Sequence, residues 1–229
     1  MTTLHESKNT VFLFRLKDFY SAITHIIGFV LSIIAMPILL CKVGTYSSNP
    51  YALISCAIYA FSMILLYGAS SAYHSFNISS KANDILKRID HMSIFILIAG
   101  TYTPICTIAL KDHNGIFLLI LTWSIAIGGI CFKYFFVHCP KWVSSILYLA
   151  MGWICIFTIP SLIQRLSIIG FIWLLLGGLF YTIGAFLYAK KKDIKLFEGF
   201  GNHEIFHCFV MLGSLCHFIV ILNFLPLVS

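Results

Sequence analysis

Long apolar runs alternate along this chain with short polar interruptions. A helix rises 1.5 Å per residue, so about 20 apolar residues are needed to cross a hydrocarbon core of about 30 Å. The runs near 20–41, 51–73, 91–110, 115–135, 142–160, 168–189 and 203–225 therefore predict seven spanning helices. The interruptions are "KVGTYSSNP", "KDHNG", "VHCPK", "QRLS" and "KKKDIKLFEGFGN". One is longer, "HSFNISSKANDILKRID", with room for a small interfacial helix. The expected fold class is all-α, a seven-transmembrane-helix bundle forming one domain over 1–229, with a short segment 1–19 ahead of it.

Composition agrees with that pattern. The chain is 60% hydrophobic and 10% charged, whereas a soluble domain is about a quarter charged. A net charge of +7 would suggest nucleic acid on a soluble protein. Here the charges fall in the loops, where they set topology, and no nucleic-acid partner is expected. With the N-terminus inside, only Lys42, Lys111 and Arg165 of the 15 basic residues fall outside. The positive-inside rule thus predicts a cytoplasmic N-terminus and an external C-terminus. Met1 to Asp18 has no apolar run leading to a small-residue cleavage site, so no cleavable signal is expected there. The Ile-, Phe- and Lys-rich composition suits a bacterial plasma (inner) membrane.

Ionisable and polar residues inside spans are costly and need a reason. The candidates are His25; Ser70 and His74; Asp90 and His91; and His203, Glu204, His207 and His217. The predicted topology brings Ser70 and His74, Asp90, and His203 and His207 to the inner ends of three different spans. His203 and His207 are four apart, so their rings share one helix face. With His74 they offer three nitrogens. Zinc binds such ligands at about 2.0–2.1 Å and, in catalytic sites, leaves a fourth position open. Asp90 is placed to act as a base, or to be the fourth ligand, and Ser70 to orient a water or an oxyanion. His217 lies ten residues beyond His207, about 15 Å further along the helix, too far for the same ion. His25, His91 and His217 are expected to be helix–helix hydrogen-bonding residues.

The stretch His203 to His207 reads H-E-I-F-H, the H-E-x-x-H signature of zinc metalloproteases. The extended form does not follow, because Val210 and Gly213 stand where its glycine and third histidine would be. There is also no N-P-D-G segment of the kind an intramembrane metalloprotease would offer. The eight cysteines include no C-x-x-C pair, so no disulfide framework is expected. Cys208 is about 100° round the helix from His207 and is not favoured as a ligand.

With S-x-x-x-H closing the second span, an aspartate opening the third and H-x-x-x-H opening the seventh, the chain resembles the hemolysin III family. That family lies within the progestin and adipoQ receptor family, and is distantly similar to alkaline ceramidases. The resemblance implies zinc on His74, His203 and His207, with Asp90 near the metal-bound water and Ser70 in the same motif. It also implies that Glu204 fills a variable position, which is glutamine in adiponectin receptors. "DFYSAITHIIG" resembles the family's first-span motif, E-x-x-N-x-x-T-H-x-x-G. Thr24 and His25 match, while Asp18 and Ser21 depart and the glycine is displaced to Gly28. The expected function is a zinc-dependent hydrolase of a membrane lipid amide or ester. The alternatives are a cytolysin or pore, and a receptor with structural zinc.

Overall fold

The computed structural model describes residues 16–192 and 194–225. It is an all-α, multi-pass membrane bundle. Among the described residues six helical stretches are long and apolar enough to cross a membrane: 19–46, 50–75, 80–109, 115–135, 141–189 and 202–223. They contain the helices α1 (Phe19–Tyr46), α2 (Pro50–Ser75), α3 (Ser80–Pro104), α4 (Gly115–Phe135), α5 (Lys141–Gly152), α6 (Ile159–Ala189) and α7 (Asn202–Asn223). A π-turn over Ile105–Ala109 extends α3, and a 3-10 turn over Trp153–Thr158 joins α5 to α6.

The 49-residue stretch 141–189 would be a rod of about 74 Å, more than twice the hydrocarbon thickness. It doubles back instead. Ser145 Oγ donates to the Ala185 carbonyl at 3.0 Å, and Trp153 Nε1 donates to Thr182 Oγ1 at 2.9 Å. Residues so far apart in sequence meet only across a hairpin. Both pairs straddle Ser167 almost symmetrically, and there the helix breaks at φ 62°, ψ 164°. The sequence expectation put this reversal in the four residues "QRLS". The first three of these remain helical, and a single residue carries the turn.

The third span differs more. The polar stretch with room for a small interfacial helix contributes instead, from Ser80 on, the first part of α3, which runs unbroken into the span. Ser79 caps it by accepting from the Ala82 N–H at 3.2 Å. Asp90 is therefore ten residues, about 15 Å, inside the helix rather than at its start. A helix-capping role for Asp90 is excluded by that position.

α1 packs on α2 and α7, α2 on α3, α3 on α4, and α6 on α7. The buried face of α1 is marked by Ser21, Ala22, His25, Gly28 and Ser32, a stripe of small and polar residues at helical spacing. Gly28 permits the close approach: a Cβ there would stand 2.6 Å from the Tyr67 ring. The Tyr67 hydroxyl in turn donates to Ser214 Oγ on α7 at 2.7 Å. This small-residue seam brings the start of α1, the end of α2 and the start of α7 together.

Candidate metal centre

His74 sits at the C-terminal end of α2, and His203 and His207 occupy the first two turns of α7. Each offers a ring nitrogen, and the three ligating atoms lie within 4.8 Å of one another. His74 and His207 are almost fully buried. The Nε2 atoms of His74 and His203 are 3.1 Å apart. Nitrogens coordinating one tetrahedral zinc ion at about 2.0–2.1 Å would stand about 3.3 Å apart.

The outer nitrogens show which way the rings present their lone pairs. His74 Nδ1 lies 2.9 Å from Asp18 Oδ2, and a carboxylate only accepts, so that nitrogen carries the proton. His207 Nδ1 lies 3.2 Å from the Ser21 carbonyl and 3.3 Å from Thr24 Oγ1, and the same logic protonates it. Both rings therefore turn a bare Nε2 inward. Bare nitrogens crowded together repel unless a proton or a cation sits between them. Carboxylate–histidine pairs of the Asp18–His74 kind orient metal-binding imidazoles and raise their basicity. The donor set thus fits a metal ion.

Asp18 is held by the backbone as well: its N–H donates to the His74 carbonyl at 2.9 Å, and the Lys17 N–H donates to the Ser75 carbonyl at 3.3 Å. The hydrogen bond with His74 holds the Asp18 carboxyl below its ordinary range, against a smaller upward push from burial. Asp18 stays an anion at neutral pH and does not cap α1.

Glu204, the second letter of H-E-I-F-H, is committed elsewhere. Its Oε1 accepts from Ser21 Oγ at 2.5 Å and its Oε2 from the Gly201 N–H at 2.8 Å. It ties α7 to α1 and satisfies a backbone N–H at the N-terminal end of α7.

On the opposite side, an elongated cavity is bordered by Ser70, Asp90, His203 and His207. Asp90 is buried, with His91 Nε2 3.9 Å away, and among the described residues no lysine or arginine pairs with it. The Ser70 hydroxyl lies toward the Asp90 carboxyl. It is 1% exposed and has no hydrogen-bond partner among the described residues. Further along, the cavity wall becomes apolar at Leu110, Leu118, Ile159 and Leu162. Asp90 and Ile105 both line it, about 22 Å apart along the third helix.

The remaining histidines behave differently from one another. His217 bonds the Leu174 carbonyl on α6 at 3.3 Å, the expected interhelical role. His25 does not: neither ring nitrogen has a hydrogen-bond partner among the described residues. It stacks on His207 with centroids 3.6 Å apart and meets Tyr67 edge-on at 5.1 Å. It packs against a candidate ligand and also borders the cavity. His91 Nδ1 is also unpartnered. Cys208 lies outside the converging group.

Sequence reasoning picked out the first-span positions as a motif but gave them no role at the histidine cluster. Asp18, Ser21, Thr24 and His25 all act on the histidine cluster or on Glu204. Their spacing of three, three and one, followed by Gly28, was the available signal, because it puts them on one helical face.

A buried three-histidine cluster closing one end of an apolar, multi-pass helical bundle defines the class: a membrane protein with a candidate intramembrane metal site. The sequence model of the family described as "Haemolysin-III related" matches residues 15–218. The chain belongs to that family. It is 42% identical over 206 residues to the "Hemolysin-3 homolog" of Bacillus subtilis (strain 168), covering 90% of this chain and 93% of the relative. It is 38% identical over 214 residues to "Hemolysin-3" of Bacillus cereus, covering 93% and 94%. A more distant similarity, 28% over 176 residues, reaches the "ADIPOR-like receptor IZH2" of Saccharomyces cerevisiae, covering 68% of this chain and 53% of the relative.

Proposed function

We propose that this protein is a zinc-dependent hydrolase of a lipid amide or ester, working inside the bacterial cell membrane near its cytoplasmic face. The two limbs of 141–189, counted separately, give seven crossings, and the lysine and arginine bias then puts the N-terminus in the cytoplasm. His74, His203 and His207 hold the metal. When bound, zinc supplies Lewis acidity and lowers the pKa of a coordinated water to about 7.

The observation that carries this reading is the pair Ser70 and Asp90. Both are buried and both border the cavity shared with His203 and His207; among the described residues no lysine or arginine pairs with Asp90, and Ser70 Oγ has no hydrogen-bond partner. Asp90 takes the proton of the attacking water and returns it to the leaving amine or alcohol. Ser70 donates its hydroxyl hydrogen to the oxyanion that develops on the carbonyl. The apolar wall toward Leu110 and Leu118 receives the acyl chain and excludes bulk water.

Asp90 is not among the converging ligand atoms, which favours an open coordination position over a closed structural site. A pore would need a polar stripe along whole helices, and away from the three-histidine cluster the cavity lining is mostly apolar, with polar residues such as Thr101, Thr158 and His217 scattered along it. The test is turnover by purified, zinc-loaded protein across a panel of amide- and ester-linked lipids. Hydrolysis that disappears on chelation and in Asp90→Asn is the expected result. Zinc-bound protein that cleaves nothing across the panel would overturn the proposal.

A further inference from the structure

His203 borders two recesses. One is the apolar cavity already described. The other is an open basin of about 450 Å³ at the start of α7, whose wall includes Lys141, Lys190, Lys191 and Lys195. Lys141 begins α5, while the other three lie at or beyond the end of α6, so separate parts of the chain converge on the basin.

The rim is built. The Asn202 side chain accepts from the Ile194 N–H and donates to the Lys192 carbonyl, each at 3.0 Å, fixing the lysine-bearing segment to α7. Phe197 and Phe200 pack edge-on against Tyr20 of α1, with centroids 5.4 and 5.7 Å apart. Gly199, at φ 79°, makes the turn that lets them do so.

Basic side chains dominate the basin: among the described lining residues four lysines stand against one carboxylate, Glu204. Among the described residues no carboxylate pairs with Lys141, Lys190, Lys191 or Lys195. Glu204 also lines the basin, but both its oxygens are taken by Ser21 and Gly201. The N–H groups opening α7 add the positive end of a helix dipole. Topology alone accounts for lysines on this face of the membrane. It does not account for their gathering round a recess that shares His203 with the cavity.

We infer that the basin receives a phosphate-class anion, the head group of an amphiphile whose tail lies in the apolar cavity and whose junction passes His203. This rests on reading the cavity as a lipid site. It narrows the substrate class to lipids with an anionic head and sets neutral lipids apart.

Equilibrium binding to the zinc-loaded full chain in a neutral detergent tests it with three probes: oleoyl lysophosphatidate, lysophosphatidylcholine with the same chain, and inorganic phosphate. Lysophosphatidate is expected to bind at least about tenfold more tightly than the choline lipid, with an advantage that shrinks as salt is raised. Lys191→Gln with Lys195→Gln should erase the advantage at unchanged zinc content, and arginine at both positions should restore it. Equal binding of the two lipids, or an advantage indifferent to both salt and the glutamine pair, would overturn the inference. Inorganic phosphate binding as tightly as lysophosphatidate would assign the basin to a soluble anion and overturn the lipid assignment. Because binding is read without turnover, protein that prefers lysophosphatidate yet cleaves no lipid would end the hydrolase reading and leave this one standing.

Discussion

Of the three carboxylates round the histidine cluster, Asp18 holds His74, while Glu204 and Asp90 have opposite fates. On the α1 side, Glu204 is saturated by a serine and a backbone N–H. On the cavity side, Asp90 is buried beside a serine hydroxyl that has no partner. In the proposed function only Asp90 exchanges a proton with a lipid in the cavity. The contrast shows why H-E-x-x-H misleads here. On a zincin helix the glutamate addresses the metal's water, whereas in this bundle it is the N-terminal brace of α7.

The sharpest way to break the contrast is to remove a histidine. His203→Ala leaves two ligands, and zinc affinity should fall by more than about 100-fold, measured by competition with a chelator. Asp90→Asn should come next. Zinc content stays near that of the wild type, while turnover on any lipid found to be cleaved drops about 10²- to 10⁴-fold. If instead Asp90→Asn sheds the metal, Asp90 is a ligand and the two sides are less distinct than described. Asp18→Asn removes the anion behind His74, and zinc affinity should weaken about 10- to 100-fold while the histidines remain. Glu204→Gln is the mildest. Glutamine can still cap α7, so metal and turnover are retained and thermal stability falls by about 1 kcal/mol or less. A loss of turnover in Glu204→Gln as large as in Asp90→Asn would erase the distinction.

Much of this was legible from letter spacing. Apolar run length gives the helices, and four-residue spacing gives the shared face of His203 and His207. The alternation of spans brings the end of the second and the starts of the third and seventh to one side. What spacing could not locate were boundaries set by single residues. Ser79 starts α3 early because a serine cap and a helix-compatible polar stretch outweigh the hydropathy change at Asp90. Ser167 alone reverses 141–189, a turn with no glycine or proline to announce it. The role of Asp18 was hidden for a different reason. Its partner His74 is 56 residues away, and the hydrogen bond exists only because Gly28 and the small residues of α1 let three helices meet.

Zinc analysis of purified wild type, His74→Ala and Asp90→Ala, prepared side by side, decides whether three histidines from two distant helices hold one ion while the aspartate stands off it. The expected pattern is about one zinc per chain in wild type and in Asp90→Ala, and less than about a tenth of that in His74→Ala. Zinc retained by His74→Ala, or lost from Asp90→Ala, would contradict it.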